Sequence, residues 1–139
     1  MFQIGGASQA AGLSIDTLRY YEKIGLLEKA IRSSGGFRLY SQETIEKLRF
    51  IKKAQALGLT LGEIKEIMVC SEEGLKSCCD LVRTLFAKKI GEFDVKIKGL
   101  EKMKRRLEKK ILNWVSPEKA KRQGYAVCPQ IEKEPGKRS

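Results

Sequence analysis

Histidine is absent from the 139 residues. Ser-His-Asp triads, histidine-assisted thiol nucleophiles, HExxH zinc sites and imidazole acid–base chemistry are therefore excluded. Long apolar runs are missing as well. No stretch approaches the roughly 18 residues that span a bilayer, and Met1-Phe2-Gln3-Ile4-Gly5 carries no basic segment ahead of an apolar one. Secretion and membrane contact are disfavoured, and the expected location is the cytoplasm. Cysteine is sparse, at four residues: Cys70, Cys78, Cys79 and Cys128. Without a secretory leader such thiols are expected to be reduced, metal-binding or redox-sensing rather than a disulfide frame. Isolated thiols and carboxylates are poor material for an enzyme, and none is expected.

Charge is what the chain has in excess. Lys and Arg number 28 against 17 Asp and Glu, a net of +11, which points to an anionic partner, nucleic acid before any other. The excess is uneven. Residues 1–70 carry 10 cations and 7 anions, whereas residues 71–139 carry 18 and 10. The densest part is 96–110, with Lys96, Lys98, Lys102, Lys104, Arg105, Arg106, Lys109 and Lys110 against Glu101 and Glu108. Hydrophobic residues make up 42%, enough for the modest core of one domain, or of a small head with an appendage.

The first seventy residues read as short helices with tight punctuation. A small-residue helix over 4–11 is stopped by Gly12, and Ser14 is a good N-cap for a second helix from Ile15 to near Gly25. Helix, glycine-containing turn, helix is the pattern whose second helix enters a DNA groove. Gly35-Gly36 then suits a hairpin turn, and the alternation Phe37-Arg38-Leu39-Tyr40 reads as a small β-wing presenting a cation and an aromatic. Ser41 caps a helix to about Leu57, with Ile45, Leu48 and Ile51 at helical spacing, and Gly58 closes it. Thr60-Leu61-Gly62-Glu63 has the form of a capping box for a helix to about Val69.

Ser77, with Asp80 three residues on, is expected to cap the longest element. From there Phe86, Ile90, Phe93, Ile97, Leu100, Leu107, Ile111 and Trp114 recur at steps of four and three, broken once by the polar Lys104 between Leu100 and Leu107, over about four heptads. Gly91 and Gly99 each cost such a helix roughly 1 kcal/mol relative to Ala. A single apolar stripe on a lone helix has nothing to pack on, so a partner chain is implied. Pro117 is expected to end the helix. The expected organisation is a DNA-binding head at 1–70, a linker at 71–76, a dimerisation helix at 77–114 and an effector loop with a basic tail at 115–139.

Leu13-Ser14-Ile15-Asp16-Thr17-Leu18-Arg19-Tyr20-Tyr21-Glu22-Lys23, followed by Gly36-Phe37-Arg38-Leu39-Tyr40 and by Leu57-Gly58-Leu59-Thr60-Leu61-Gly62-Glu63-Ile64, resembles the MerR family of bacterial transcription regulators. The resemblance runs on along the long helix to Cys128-Pro129-Gln130-Ile131, so it covers most of the chain. It implies a mainly α fold: a winged helix-turn-helix head, an antiparallel coiled-coil dimerisation helix and a C-terminal effector loop. It also implies a homodimer that binds a promoter whose spacer is over-long for RNA polymerase. Effector binding then kinks and untwists that spacer, which is activation by deformation. Arg19, Tyr20 and Tyr21 of the recognition helix and Arg38 and Tyr40 of the wing match the family's DNA-contacting positions. Arg19 suits guanine edges or phosphate, Arg38 suits phosphate or a groove edge, and tyrosine hydroxyls can donate to phosphate oxygens. Lys52 and Lys53 are weaker candidates for backbone contact.

By the same resemblance, Cys79 falls where thiol-using members place a cysteine at the start of the dimerisation helix. Members sensing divalent ions tend to have Cys there, and those sensing monovalent copper or silver tend to have Ser. A thiol at a helix N-terminus beside Lys76 has its thiolate favoured by the dipole and the cation. Cys128 matches the family's last ligand, and in the antiparallel dimer it would lie near the partner's Cys79. The expected effector is a divalent thiophilic ion: mercury, lead, cadmium or zinc. The middle cysteine of the pattern should lie 35 residues past Cys79, but that residue is Trp114. Either Cys78 supplies a third thiolate, or the site is two-coordinate. Two thiolates suit mercury(II), whereas zinc wants four ligands and lead or cadmium usually three or more. Oxidants, electrophiles or an organic ligand are the alternative effectors. A non-specific basic nucleic-acid-binding protein is the distant alternative, against which the Arg-Tyr-Tyr and Gly-Phe-Arg pair argues.

Overall fold

The computed structural model describes residues 1–132. Its elements are β1 (Phe2–Gln3), α1 (Ile4–Ala11), α2 (Ile15–Lys23), β2 (Ile31–Arg32), β3 (Arg38–Tyr40), α3 (Gln42–Ala56), α4 (Leu61–Ser71), α5 (Leu75–Leu112), α6 (Pro117–Gln123) and α7 (Pro129–Glu132). They form two units, Met1–Lys89 and Ile90–Ser139, with α5 contributing to both. No helix among the described residues is long and apolar enough to cross a membrane.

In the first unit, local chemistry sets the helix ends. The Ser14 and Ser41 hydroxyls accept from the N–H groups of Thr17 and Thr44 at 3.1 and 3.2 Å, fixing the starts of α2 and α3. Thr60 and Glu63 close a full capping box at the start of α4. At the end of α1, Gly12 adopts φ +68°, a left-handed turn that a residue with a Cβ resists. Two cations from α3 cover the free carbonyls there. Arg49 donates to Ala10 O and Lys52 donates to Gly12 O at 2.9 Å, a placement that also suits the helix dipole.

Ala7 (α1), Leu18 (α2), Ile45, Leu48 and Ile51 (α3) and Ile64 (α4) are fully buried and form one core. Each is an apolar position at three- or four-residue spacing or beside a cap, so the core follows from the helical period. Leu81, Val82 and Leu85 of α5 pack on the same core, which is why this unit runs to Lys89 instead of ending near residue 70.

The strands make a three-stranded antiparallel sheet in the order β1-β3-β2, with Phe2 opposite Tyr40 and Arg32 opposite Arg38. The wing expected from Gly35-Gly36 is present. Ser33 and Phe37 close its turn, and Gly36 takes φ +82°. Strand β1 was not foreseen, because a two-residue strand is too short to show a period.

The long helix departs from expectation at both ends. It starts at Leu75, not Ser77, because Gly74 O accepts the first helical bond from Cys78 N. Ser77 therefore lies inside the first turn and does not act as a cap. The helix stops at Leu112, before Trp114, and Pro117 opens α6 behind the Ser116 cap rather than ending α5. Residues 115–132 hold two short helices where a loop was expected.

Candidate nucleic-acid interface and thiol positions

Helix α2 divides its motif by period. Leu18 and Tyr21 turn into the core, whereas Arg19 and Tyr20 are exposed. Tyr21 is 3% exposed, and its hydroxyl donates to Gln55 Oε1 at 3.0 Å; burial raises its pKa. Tyr40 on β3 is 2% exposed, and its hydroxyl donates to Glu22. Burial first, then the bond to the Glu22 carboxylate, pushes its pKa up to about 12. Both tyrosines were expected at the DNA surface. The structure corrects this: each is a core residue with its hydroxyl already partnered. For Tyr40 the reason is the sheet, which sets it opposite Phe2 and over α2.

Lys52 is committed to Gly12 O and serves the end of α1, while Lys53 is exposed on α3. Arg38 is half-buried, with Nε 3.7 Å from a Glu22 carboxylate oxygen. Arg19, Glu22, Lys23, Lys29, Arg32 and Arg38 line an open cleft of about 370 Å³ between α2 and the wing. Five of these are cations, so the cleft is suited to an anion such as a DNA phosphate. Lys23, Lys29 and Arg32 were missed from the sequence. The legible signal was the hairpin itself: pairing around Gly35-Gly36 puts Arg32 directly across from Arg38, and paired residues share a face.

The cysteines separate. Cys70, at the end of α4, has its thiol pKa raised by burial, with Glu73 and Cys78 adding to the effect. Cys78 packs against the core of the first unit beside Met68 and Val69. Its neighbour Cys79 is exposed. Successive helical residues point about 100° apart, so Cys78, one of the two alternatives for completing a site at Cys79, packs against the core while Cys79 faces out. The earlier start of α5, at Leu75, also places Cys79 in the second turn of the helix, beyond the free N–H groups of its end.

In the second unit, Gln130 clamps the backbone of Val115 by two hydrogen bonds of 2.9 and 3.1 Å. The Glu132 carboxylate accepts from Ala126 N and Val127 N, and these bonds hold its pKa down. Held in this way, Cys128 lines an apolar cavity of about 560 Å³ with Met103, Leu107, Ile111, Trp114 and Ile131. Among the described residues no group of three or more Cys, Asp or Glu side chains gathers around one point that could hold a metal. Phe86, Ile90, Phe93, Ile97, Leu100, Leu107 and Ile111 along α5, and Trp114 just past its end, are all exposed, so the apolar stripe is uncovered in the single chain.

Comparison with known proteins is concordant. The family model for the MerR HTH family regulatory protein matches residues 2–69, and that for MerR, DNA binding matches residues 45–110. The mercuric resistance operon regulatory protein of Bacillus cereus is 36% identical over 106 residues, which is 76% of this chain and 80% of that protein. The transcription regulator PbrR691 from Ralstonia metallidurans CH34, solved in complex with lead(II), superposes with a TM-score of 0.77 at 28% identity. That match covers 96% of this chain and 98% of PbrR691. HiNmlR, a MerR family regulator lacking the sensor domain and bound to promoter DNA, matches with a TM-score of 0.54 at 26% identity, over 94% of this chain and 98% of its own.

Proposed function

The chain belongs to the MerR family of helix-turn-helix regulators, and from that premise we propose that it is a metal-responsive transcription regulator acting on promoter DNA as a homodimer. The observation that carries the reading is the uncovered apolar stripe of α5 together with two thiol positions, the exposed Cys79 on α5 and the half-buried Cys128 on the clamped segment. A second copy covers the stripe. Cys79 of one protomer and Cys128 of the other then share a divalent thiophilic ion, so that occupancy sets dimer geometry. With Cys78 packed away and Trp114 in place of a third cysteine, the donor set is two thiolates, which fits mercury(II) better than lead, cadmium or zinc. Arg19, Tyr20 and Arg38 contact the DNA, with Lys53 on the backbone. The bound ion makes the dimer distort an over-long spacer and so aligns the promoter for RNA polymerase. The protein works in the cytoplasm, on the nucleoid.

Native mass spectrometry of the reduced dimer, titrated with mercury, zinc, cadmium and lead salts, tests the site. The expected result is two mercury ions per dimer, lost in Cys79→Ser and in Cys128→Ser. Cys79→Ser is also expected to abolish induction while leaving ion-free DNA binding intact. A fully inducible Cys79→Ser protein refutes the assignment.

One observation favours a second reading. Cys128 faces an apolar, Trp-lined cavity of a size that suits a small organic molecule, so an electrophile or organic ligand is the alternative effector. A dimer that retains no ion but forms an adduct at Cys128 supports it.

A further inference from the structure

Glu22 is an anomaly on the face that meets DNA. It is the single carboxylate lining a cleft whose other charged residues, Arg19, Lys23, Lys29, Arg32 and Arg38, are cations. A carboxylate facing phosphates repels them, so its presence calls for a compensating role. Its side chain is only 9% exposed. One oxygen accepts the Tyr40 hydroxyl, and the other lies 3.7 Å from Arg38 Nε. Glu22 belongs to α2, whereas Arg38 and Tyr40 belong to β3. The carboxylate is thus the polar link that fixes the wing against the recognition helix.

We propose that Glu22 is a positioning residue for DNA recognition: by holding Arg38 through Nε it sets where the wing's guanidinium stands relative to Arg19 on α2. The inference rests on the DNA-binding reading above and adds a consequence for specificity. An Arg38 free to rotate still attracts phosphate anywhere, since that attraction needs no register. A fixed Arg38 reaches its acceptor only when the recognition helix is seated in its own site. Glu22 accordingly sacrifices some general affinity for DNA and gains discrimination. That trade is a form of specificity by an introduced repulsive element.

The experiment uses the full chain and a duplex selected by the wild-type protein from a random pool, with a scrambled duplex as the competitor. Glu22→Gln keeps an acceptor for Tyr40 but drops the charge that holds Arg38. Its ratio of selected to scrambled affinity is expected to fall about tenfold, with affinity for the scrambled duplex unchanged or higher. In an Arg38→Ala background the same substitution is expected to change the ratio less than about twofold, because the group it positions is gone. Tyr40→Phe controls for stability: it removes the other contact of Glu22, lowers the melting temperature and leaves the ratio intact. A Glu22→Gln ratio equal to wild type overturns the inference, as does an equal fall with and without Arg38. A wild-type protein that selects no sequence overturns the DNA-binding reading and this inference with it.

Discussion

Replacing Lys89 with Met is expected to cost about 2–3 kcal/mol of stability near neutral pH, and the cost is expected to vanish in acid. Glu63 sits at the third position of α4, where its carboxylate accepts Thr60 N at 2.9 Å and lies 2.8 Å from Lys89 Nζ on α5. Lys88 stands 3.8 Å from the other oxygen. Both Glu63 and Lys89 are 9% exposed. The hydrogen bond from Lys89, then that from Thr60 N–H, outweighs desolvation and lowers the Glu63 pKa from 4.5 to about 2. At 1.36 kcal/mol per unit, a shift of that size is linked to about 3 kcal/mol of folding free energy. Because the folded pKa is depressed, the contribution is fully present above pH 4.5. It is lost progressively as pH falls toward 2.

Met follows Lys89 as far as Cε and lacks only the ammonium group. Thr60 N–H and Lys88 remain with Glu63, so the loss falls below the roughly 3–5 kcal/mol seen when a buried pair loses one member outright. Urea denaturation at fixed protomer concentration, repeated from pH 7 down to pH 3, measures the gap between wild type and Lys89→Met. The gap is expected to narrow steadily below about pH 4.5. Adding Glu63→Gln is expected to recover most of the loss, since Gln still completes the capping box and no buried carboxylate is left behind. A gap that stays constant across the pH range refutes the electrostatic account and leaves only lost packing.

Three further outcomes are expected. Arg38→Ala should weaken binding to the selected duplex by about 1–3 kcal/mol in fluorescence anisotropy, and unchanged affinity removes Arg38 from the interface. Gly12→Ala should destabilise the first unit by more than about 1 kcal/mol by thermal melting. The left-handed φ disfavours a Cβ, and that Cβ would stand 2.7 Å from the Lys52 Nζ that caps α1; a neutral effect would show that the turn relaxes. Tyr40→Phe should cost about 1–2 kcal/mol at neutral pH through the lost bond to Glu22. The raised pKa stabilises wild type fully below about pH 10, and that part is lost as pH rises through about 12. The variant's alkaline limb should therefore be shallower, and an identical limb would contradict the burial of the phenol.

The helices of the first unit were legible because their signals are local. A cap at Ser14, Ser41 or Thr60 acts within three residues, and the apolar period of Ile45, Leu48 and Ile51 marks one face of one helix. Other positions depend on a neighbour distant in sequence. Tyr40 carries the same side chain as the exposed Tyr20, and nothing local distinguishes it, whereas Tyr21, three residues past Leu18, shares the core face by the helical period. Cys78 and Cys79 likewise look equivalent until α5 is set against the core, which takes up one thiol and leaves the other outside. Lys52 reads as a free surface cation, yet it is drawn to a carbonyl forty residues earlier in the chain.

Helix-turn-helix, wing and long striped helix follow from caps, glycine turns and periodicity, all short-range effects of backbone sterics and apolar spacing, so the kind of molecule is legible along the chain. Which of several chemically similar groups face outward is settled only when the helices pack. Burial is a property of the assembled core, and a buried polar group must find its partner there, as Tyr40 finds Glu22 and Glu63 finds Lys89.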